Sequence, residues 1–227
     1  PIIIDLDAGW TVAHREHLNA EPLRLRSFVA GITDGPVLVG HRGSARCLQV
    51  DLTPLGARRI LGLPMAEVAN RTVPIEAVLG KSGADLVQRI GEAPGWPERF
   101  AIVEAALTAR LSGASDVDAG VAWSLGRIAA SGGNLAIGGL AADLGWSHRR
   151  LIARYRDAVG LPPKAMARIV RFERVSDRLR SGTGLAVAAA ECGYFDQAHL
   201  AREVRELAGL TPTELRNTVN SVQDLAV

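Results

Sequence analysis

Ala141-Ala142-Asp143-Leu144-Gly145-Trp146 and Ala189-Ala190-Glu191-Cys192-Gly193-Tyr194 decide how this chain is read. Each runs small, small, acidic, apolar, glycine, aromatic, and they lie 48 residues apart. Downstream, Leu151 to Gly160-Leu161-Pro162-Pro163 matches Leu200 to Gly209-Leu210-Thr211-Pro212 at an offset of 49. Two copies are too few for a solenoid but have the length of a duplicated helix-turn-helix. The paired alanines let a short helix approach its neighbour closely. Gly145 and Gly193 stand where that helix must end in a left-handed conformation, which glycine takes at least cost. The aromatic after each glycine can anchor the turn, and Ser147 and Asp196 suit the N-cap of a second helix. That second helix carries apolar anchors four apart, Leu151 and Tyr155 in one copy, Leu200 and Val204 in the other. Its opposite face shows His148, Arg149, Ile152 and Ala153 in the first copy, and Gln197, Ala198, His199, Ala201 and Arg202 in the second. A short helix, a glycine turn and a polar-faced helix form the pattern of a major-groove reader.

Between the copies, Pro162-Pro163 opens a long helix to about Arg180, with Pro163 in its first turn. Ile169, Phe172, Val175 and Leu179 fall on one face, so one rigid helix could fix the two units relative to each other. Charge is concentrated here. Residues 147–180 carry ten basic side chains against three acidic, whereas residues 1–115 carry twelve of each. Only Lys81 and Lys164 are lysines, so arginine is partly a compositional habit of the chain. The clustering is not, and it reads as an electrostatic footprint for a polyanion.

Upstream the chain changes character. Pro1–Leu6, Leu23–Ala30, Pro36–Gly40 and Cys47–Leu52 are strand-like runs punctuated by Gly9, Gly31, Asp34-Gly35 and Gly43. Leu55–Leu61 and Gly83–Ile90 have helical spacing, and Glu98–Leu111 places Phe100, Val103, Leu107 and Leu111 on one stripe. Ser112-Gly113-Ala114-Ser115 reads as a small-residue linker. Asp116 reads as the N-cap of a helix to about Ala130, ended by Ser131-Gly132-Gly133-Asn134. The expected organisation is an α+β N-terminal domain over 1–111, a linker at 112–115, an all-α domain of about seven helices with two helix-turn-helix units over 116–220, and a tail at 221–227.

Composition narrows the function classes. The chain has 227 residues, 48% of them hydrophobic and 22% charged, enough for a buried core and far from a disordered composition. Aromatics at 4% argue against a large aromatic-lined ligand site. No apolar run approaches the ~18 residues of a membrane helix, and Pro1 to Asp7 lacks the basic region of a signal peptide. Opening on Pro1-Ile-Ile-Ile fits a chain that begins part-way into a domain. Cys47 and Cys192 are far apart with no CxxC, so a reducing cytoplasm is the expected compartment. Cys47 reads as the start of a buried strand and Cys192 as a core residue. Gly80-Lys81-Ser82 resembles the end of a P-loop, but Ile75 stands where the motif needs glycine. His14 and His17 lack a third placed ligand, so no metal site is assigned. No nucleophile–base–acid set has a recognisable context, and no cofactor is expected.

On these residues, 134–216 resembles the DNA-binding domain of AraC/XylS-type transcriptional regulators. Leu140 to Ser147, Leu151 to Tyr155, Gly160 to Lys164 and, above all, Gly193-Tyr-Phe-Asp-Gln-Ala-His-Leu200 with Gly209-Leu-Thr-Pro212 carry the resemblance. It implies seven helices, the first over Asp116–Ala130, and two successive major-groove contacts on one face of double-stranded DNA. It also places base-facing sites at Arg149, Ile152, Ala153, Gln197, Ala198, His199, Ala201 and Arg202. Phosphate contacts are expected at His148, Arg150, Arg154 and Arg171. Two departures stand out: Ile152 and Ala153 are apolar where polar residues are common, and Val204 replaces an aromatic. Leu52-Thr-Pro-Leu-Gly-Ala-Arg-Arg-Ile-Leu-Gly-Leu-Pro64, with Glu67-Val-Ala-Asn-Arg71, resembles the N-terminal region of some AraC-like actinobacterial-type regulators. That resemblance implies a domain that senses a small-molecule effector or forms a homodimer; RNA polymerase is a further candidate partner. The rival class is a DNA-modifying or repair enzyme using the same module, for which residues 1–115 offer no catalytic set.

Overall fold

Ile2-Ile3-Ile4-Asp5 forms β1 (Ile2–Asp5), a strand buried along its whole length. The reason is its position inside a four-stranded antiparallel sheet with something packed on each face. β4 (Phe28–Ala30) and β6 (Cys47–Val50) flank it, and β7 (Thr72–Pro74) pairs beyond β4, giving the order β6-β1-β4-β7. Ile2 pairs with Val29 on one side and Val50 on the other. Side chains alternate across a strand, so Ile2 and Ile4 join the core beneath the helices while Ile3 turns to the other face. There it meets Val12 and Phe28 under a second sheet, of order β3-β2-β5. That sheet consists of β2 (Trp10–His14), β3 (Leu23–Leu25) and β5 (Val37–His41). This computed structural model describes residues 1–14 and 21–217.

Four helices cover the other face of the first sheet: α1 (Pro54–Leu61), α2 (Ile75–Leu79), α3 (Lys81–Glu92) and α4 (Trp96–Ser112). Thr53 caps α1 and Gly62 ends it at φ 71°. Ile60, Leu61, Ile75, Leu79, Ile90 and Val103 close the core over Ile2, Ile4, Val29 and Leu48. Residues 65–67 make one 3-10 turn between α1 and β7.

Several local expectations are corrected. The run Leu23–Ala30 is two strands in different sheets, because the chain crosses over at Arg26-Ser27, where the Ser27 hydroxyl accepts the Asp5 backbone N–H at 3.1 Å. β2, β7 and α2 escaped the sequence reading: β7 and α2 are only three and five residues long, and β2 buries only Val12. Phe100 is not part of the buried α4 stripe; it is exposed and stacks on Trp96 at 6.0 Å.

Among the described residues seven helices follow: α5 (Ala119–Ala130), α6 (Ile137–Asp143), α7 (His148–Ala158), α8 (Pro163–Arg180), α9 (Leu185–Glu191), α10 (Gln197–Ala208) and α11 (Pro212–Asn217). The cap of α5 is Asp118, not Asp116: its carboxylate accepts the N–H groups of Gly120 and Val121. Pro163 occupies the first turn of α8. This helix joins two cores. Its first half packs Met166, Ala167, Ile169 and Val170 against α5, α6 and α7; its second half packs Phe172, Val175 and Leu179 against α9, α10 and α11. The first unit also docks on the N-terminal region. Ile32 and Leu55 pack against its core, and Arg58 pairs with Asp157 at 3.4 Å. No helix among the described residues is long and apolar enough to cross a membrane.

Candidate nucleic-acid interface

Both copies of the repeat close α6 and α9 with the same hydrogen bonds. Gly145 N–H donates to the Ala142 carbonyl at 3.0 Å and Trp146 N–H to that of Ala141 at 2.9 Å. In the second copy Gly193 donates to Ala190 at 3.3 Å and Tyr194 to Ala189 at 2.9 Å. This is a Schellman closure, which needs the glycine in the left-handed region; φ is 62° at Gly145 and 77° at Gly193. The repeated six-residue signature is thus a helix stop written twice. The next helix starts at once: Ser147 Oγ accepts from Arg150 N–H, and the Asp196 carboxylate from His199 N–H.

The backs of α7 and α10 are fixed in the core. Leu151, Tyr155, Leu200 and Val204 are all fully buried, so the valine that departs from the family pattern still fills its place. Tyr155 reaches the Ser124 hydroxyl at 2.8 Å, and burial raises its pKa despite that hydrogen bond. With these faces turned inward, the fronts point to solvent. His148, Arg149, Ile152, Ala153, Gln197, Ala198 and Arg202 are exposed, while His199 and Ala201 are half-buried. Among the described residues, neither Arg149 nor Arg202 has a carboxylate within salt-bridge distance. The His199 Nδ1 lies 3.4 Å from the Phe195 backbone N–H and accepts from it.

The remaining cations divide by partner. Arg150 stacks over the Trp146 ring, 4.8 Å from its centroid, with its guanidinium exposed. Arg154 is half-exposed and reaches Asp118 at 3.5 Å, tying α7 to the cap of α5. Arg171 differs from the sequence expectation of a phosphate contact. Its side chain is 16% exposed, pairs with the Glu203 carboxylate at 2.8 Å and lies 4.9 Å from the Tyr194 ring centroid. Arg168 also reaches Glu203, at 3.2 Å. Burial alone would raise the Glu203 pKa; the hydrogen bonds and charge of Arg171, with help from Arg168, outweigh it and hold the carboxyl below its ordinary value. Burial and then the nearby Glu203 carboxylate push the Tyr194 phenol well up. Arg171 is therefore a bolt between α8 and α10.

Other candidates resolve into structure. Cys192 is fully buried, and burial raises its pKa; Cys47 begins β6 half-buried, and burial followed by Asp5 raises its pKa. Neither thiol is set up as a nucleophile. His14 shares a hydrogen bond of 2.9 Å with Thr72, and His17 lies outside the described residues. Sequence reasoning missed one prominent side chain on this face, Phe195, which is 92% exposed between Tyr194 and the cap of α10. The signal was available: the repeat offset changes from 48 to 49 at that point.

A family profile described as a helix-turn-helix domain matches residues 140–218. Among solved structures, the C-terminal domain of AraT, a response regulator from Geobacillus stearothermophilus, is similar at 18% identity over 48% of this chain and 99% of that chain, with a TM-score of 0.42. A search of curated proteins found no match.

Proposed function

We propose, from the premise that residues 140–218 match a helix-turn-helix domain, that this chain is a sequence-specific transcription regulator of the AraC type. In this reading α7 and α10 enter successive major-groove segments of one DNA face, roughly 34 Å apart. The observation that carries it is the duplicated unit: two helices, each capped at its exposed end, each locked by two fully buried anchors, each turning a polar face to solvent. Arg149, exposed, suits a bidentate contact to guanine, and Gln197 one to adenine. Ile152 and Ala153 offer only apolar contact, suited to a thymine methyl. Ala198, His199, Ala201 and Arg202 complete the face of α10. His148, Arg150 and Arg154 serve phosphates, with Arg154 exchanging Asp118 for DNA.

Residues 1–111 act, in the same proposal, as the part that responds to a small-molecule effector or pairs two copies, with 112–115 joining them to a DNA-binding region over 116–220 in the cytoplasm. RNA polymerase is the natural further partner of such a regulator. The test is selection of bound duplexes from a random pool with the whole chain. Two short enriched blocks about one helical turn apart support the reading. A single block leaves one helix as a phosphate anchor, and binding that is salt-sensitive but enriches nothing overturns sequence-specific reading by this chain alone.

A further inference from the structure

The two copies differ by one residue, and that residue is the most exposed large apolar side chain described. Trp146 and Tyr194 are 48 positions apart, but the caps Ser147 and Asp196 are 49 apart, so Phe195 is an insertion in the second turn alone. Its surroundings hold it in place. Tyr194 before it is buried, Asp196 after it is fixed as a cap, and its own N–H is received by His199 Nδ1. The ring therefore stands out at 92% exposure just ahead of the cap of α10, two and three positions before Gln197 and Ala198.

A phenyl ring makes neither a charged contact to phosphate nor a hydrogen bond to a base edge. What the major groove offers it is the C5-methyl group of thymine, the apolar feature that separates thymine from cytosine there. We propose that Phe195 is a specificity-determining residue that packs on a thymine methyl at the border of the segment read by α10. This rests on the DNA-binding reading above and adds a position to the second block that the first block lacks.

The test uses the duplex selected by the wild-type chain, a copy with deoxyuridine for thymine at each position in and beside the second block, and Phe195→Ala. The exposure of Phe195 means that the variant folds as the wild type does, which melting checks. The wild type should lose about three- to tenfold at one thymine when its methyl is removed, and Phe195→Ala should lose as much on the natural duplex and nothing further on the deoxyuridine copy. The dependence of affinity on salt should stay unchanged, because no cation is removed. Wild-type affinity indifferent to every methyl, or Phe195→Ala binding as tightly as the wild type, overturns the proposal. So does a variant whose only change is a smaller mass in solution, which would make Phe195 a contact between copies. A wild-type chain that selects no sequence overturns the sequence-specific reading on which this rests, a result distinct from these.

Discussion

Gly145 and Gly193 occupy equivalent positions in the two turns, yet their surroundings differ. A Cβ at Gly145 would meet nothing within 4 Å, whereas one at Gly193 would overlap the Asn134 side-chain amide in the turn after α5. Both substitutions to alanine carry the left-handed penalty of roughly 1–2 kcal/mol. Only Gly193→Ala also displaces Asn134, so it should lower the melting temperature clearly more than Gly145→Ala; equal shifts would show that Asn134 moves aside freely. Also at the residue scale, Arg149→Ala should cost ~1–3 kcal/mol on a selected duplex and less on random DNA. Equal losses on both would reduce Arg149 to a phosphate contact.

At the scale of elements, α8 and α10 are joined through one carboxylate. Glu203 is 5% exposed and receives both Arg171 and Arg168. Removing Arg171 takes the main counter-charge from a buried carboxylate, a change of the kind that costs about 3–5 kcal/mol when no partner remains; with Arg168 still in place the loss should sit at or below the lower end. The pH dependence has a definite sign. The folded Glu203 carboxyl titrates below its unfolded value, so its contribution is complete above roughly pH 4.3 and is lost as pH falls through the lower, folded value. Melting between neutral and acidic pH should therefore show a steeper acid decline for the wild type than for Glu203→Gln. Parallel declines would remove Glu203 from the acid response.

For the whole molecule, the telling contact is between the first reading unit and the N-terminal region. Asp157, at the docked end of α7, lies nine residues from His148, about 14 Å along the helix at 1.5 Å per residue, so docking leaves the exposed end open. Gly160 has φ 97°, and a Cβ there would lie 2.9 Å from the Met65 carbonyl oxygen and 3.0 Å from Ala69 Cβ. Gly160→Ala should thus weaken the docking as well as strain the turn. Melting should fall by more than the left-handed penalty alone, and proteolysis near residues 112–118 should accelerate; unchanged cleavage would mean that the interface adapts. Arg58 and Asp157 are both partly exposed, so their pair contributes at most about 1 kcal/mol.

The amino-acid sequence by itself determined the parts whose hydrogen bonds close within a few residues. Gly145 and Gly193 and the caps Ser147 and Asp196 were readable because each acts through neighbours one turn away, and the anchors Leu151, Tyr155, Leu200 and Val204 because their spacing of four marks one buried helix face. The same locality hid β2 and β7, which exist through pairing with distant strands, and misplaced the cap of α5, since Asp116 and Asp118 are equally good caps on paper. Only the tertiary structure decided which arginines are free. Arg171 meets Glu203 across 32 residues and Arg154 meets Asp118 across 36, while Arg149 meets no acid among the described residues. A run of like charge specifies attraction for a polyanion, but an ion pair depends on which carboxylate the fold brings within 4 Å, and that is settled by packing. The same holds for Gly160 on Met65, a contact between segments about a hundred residues apart that no local pattern encodes.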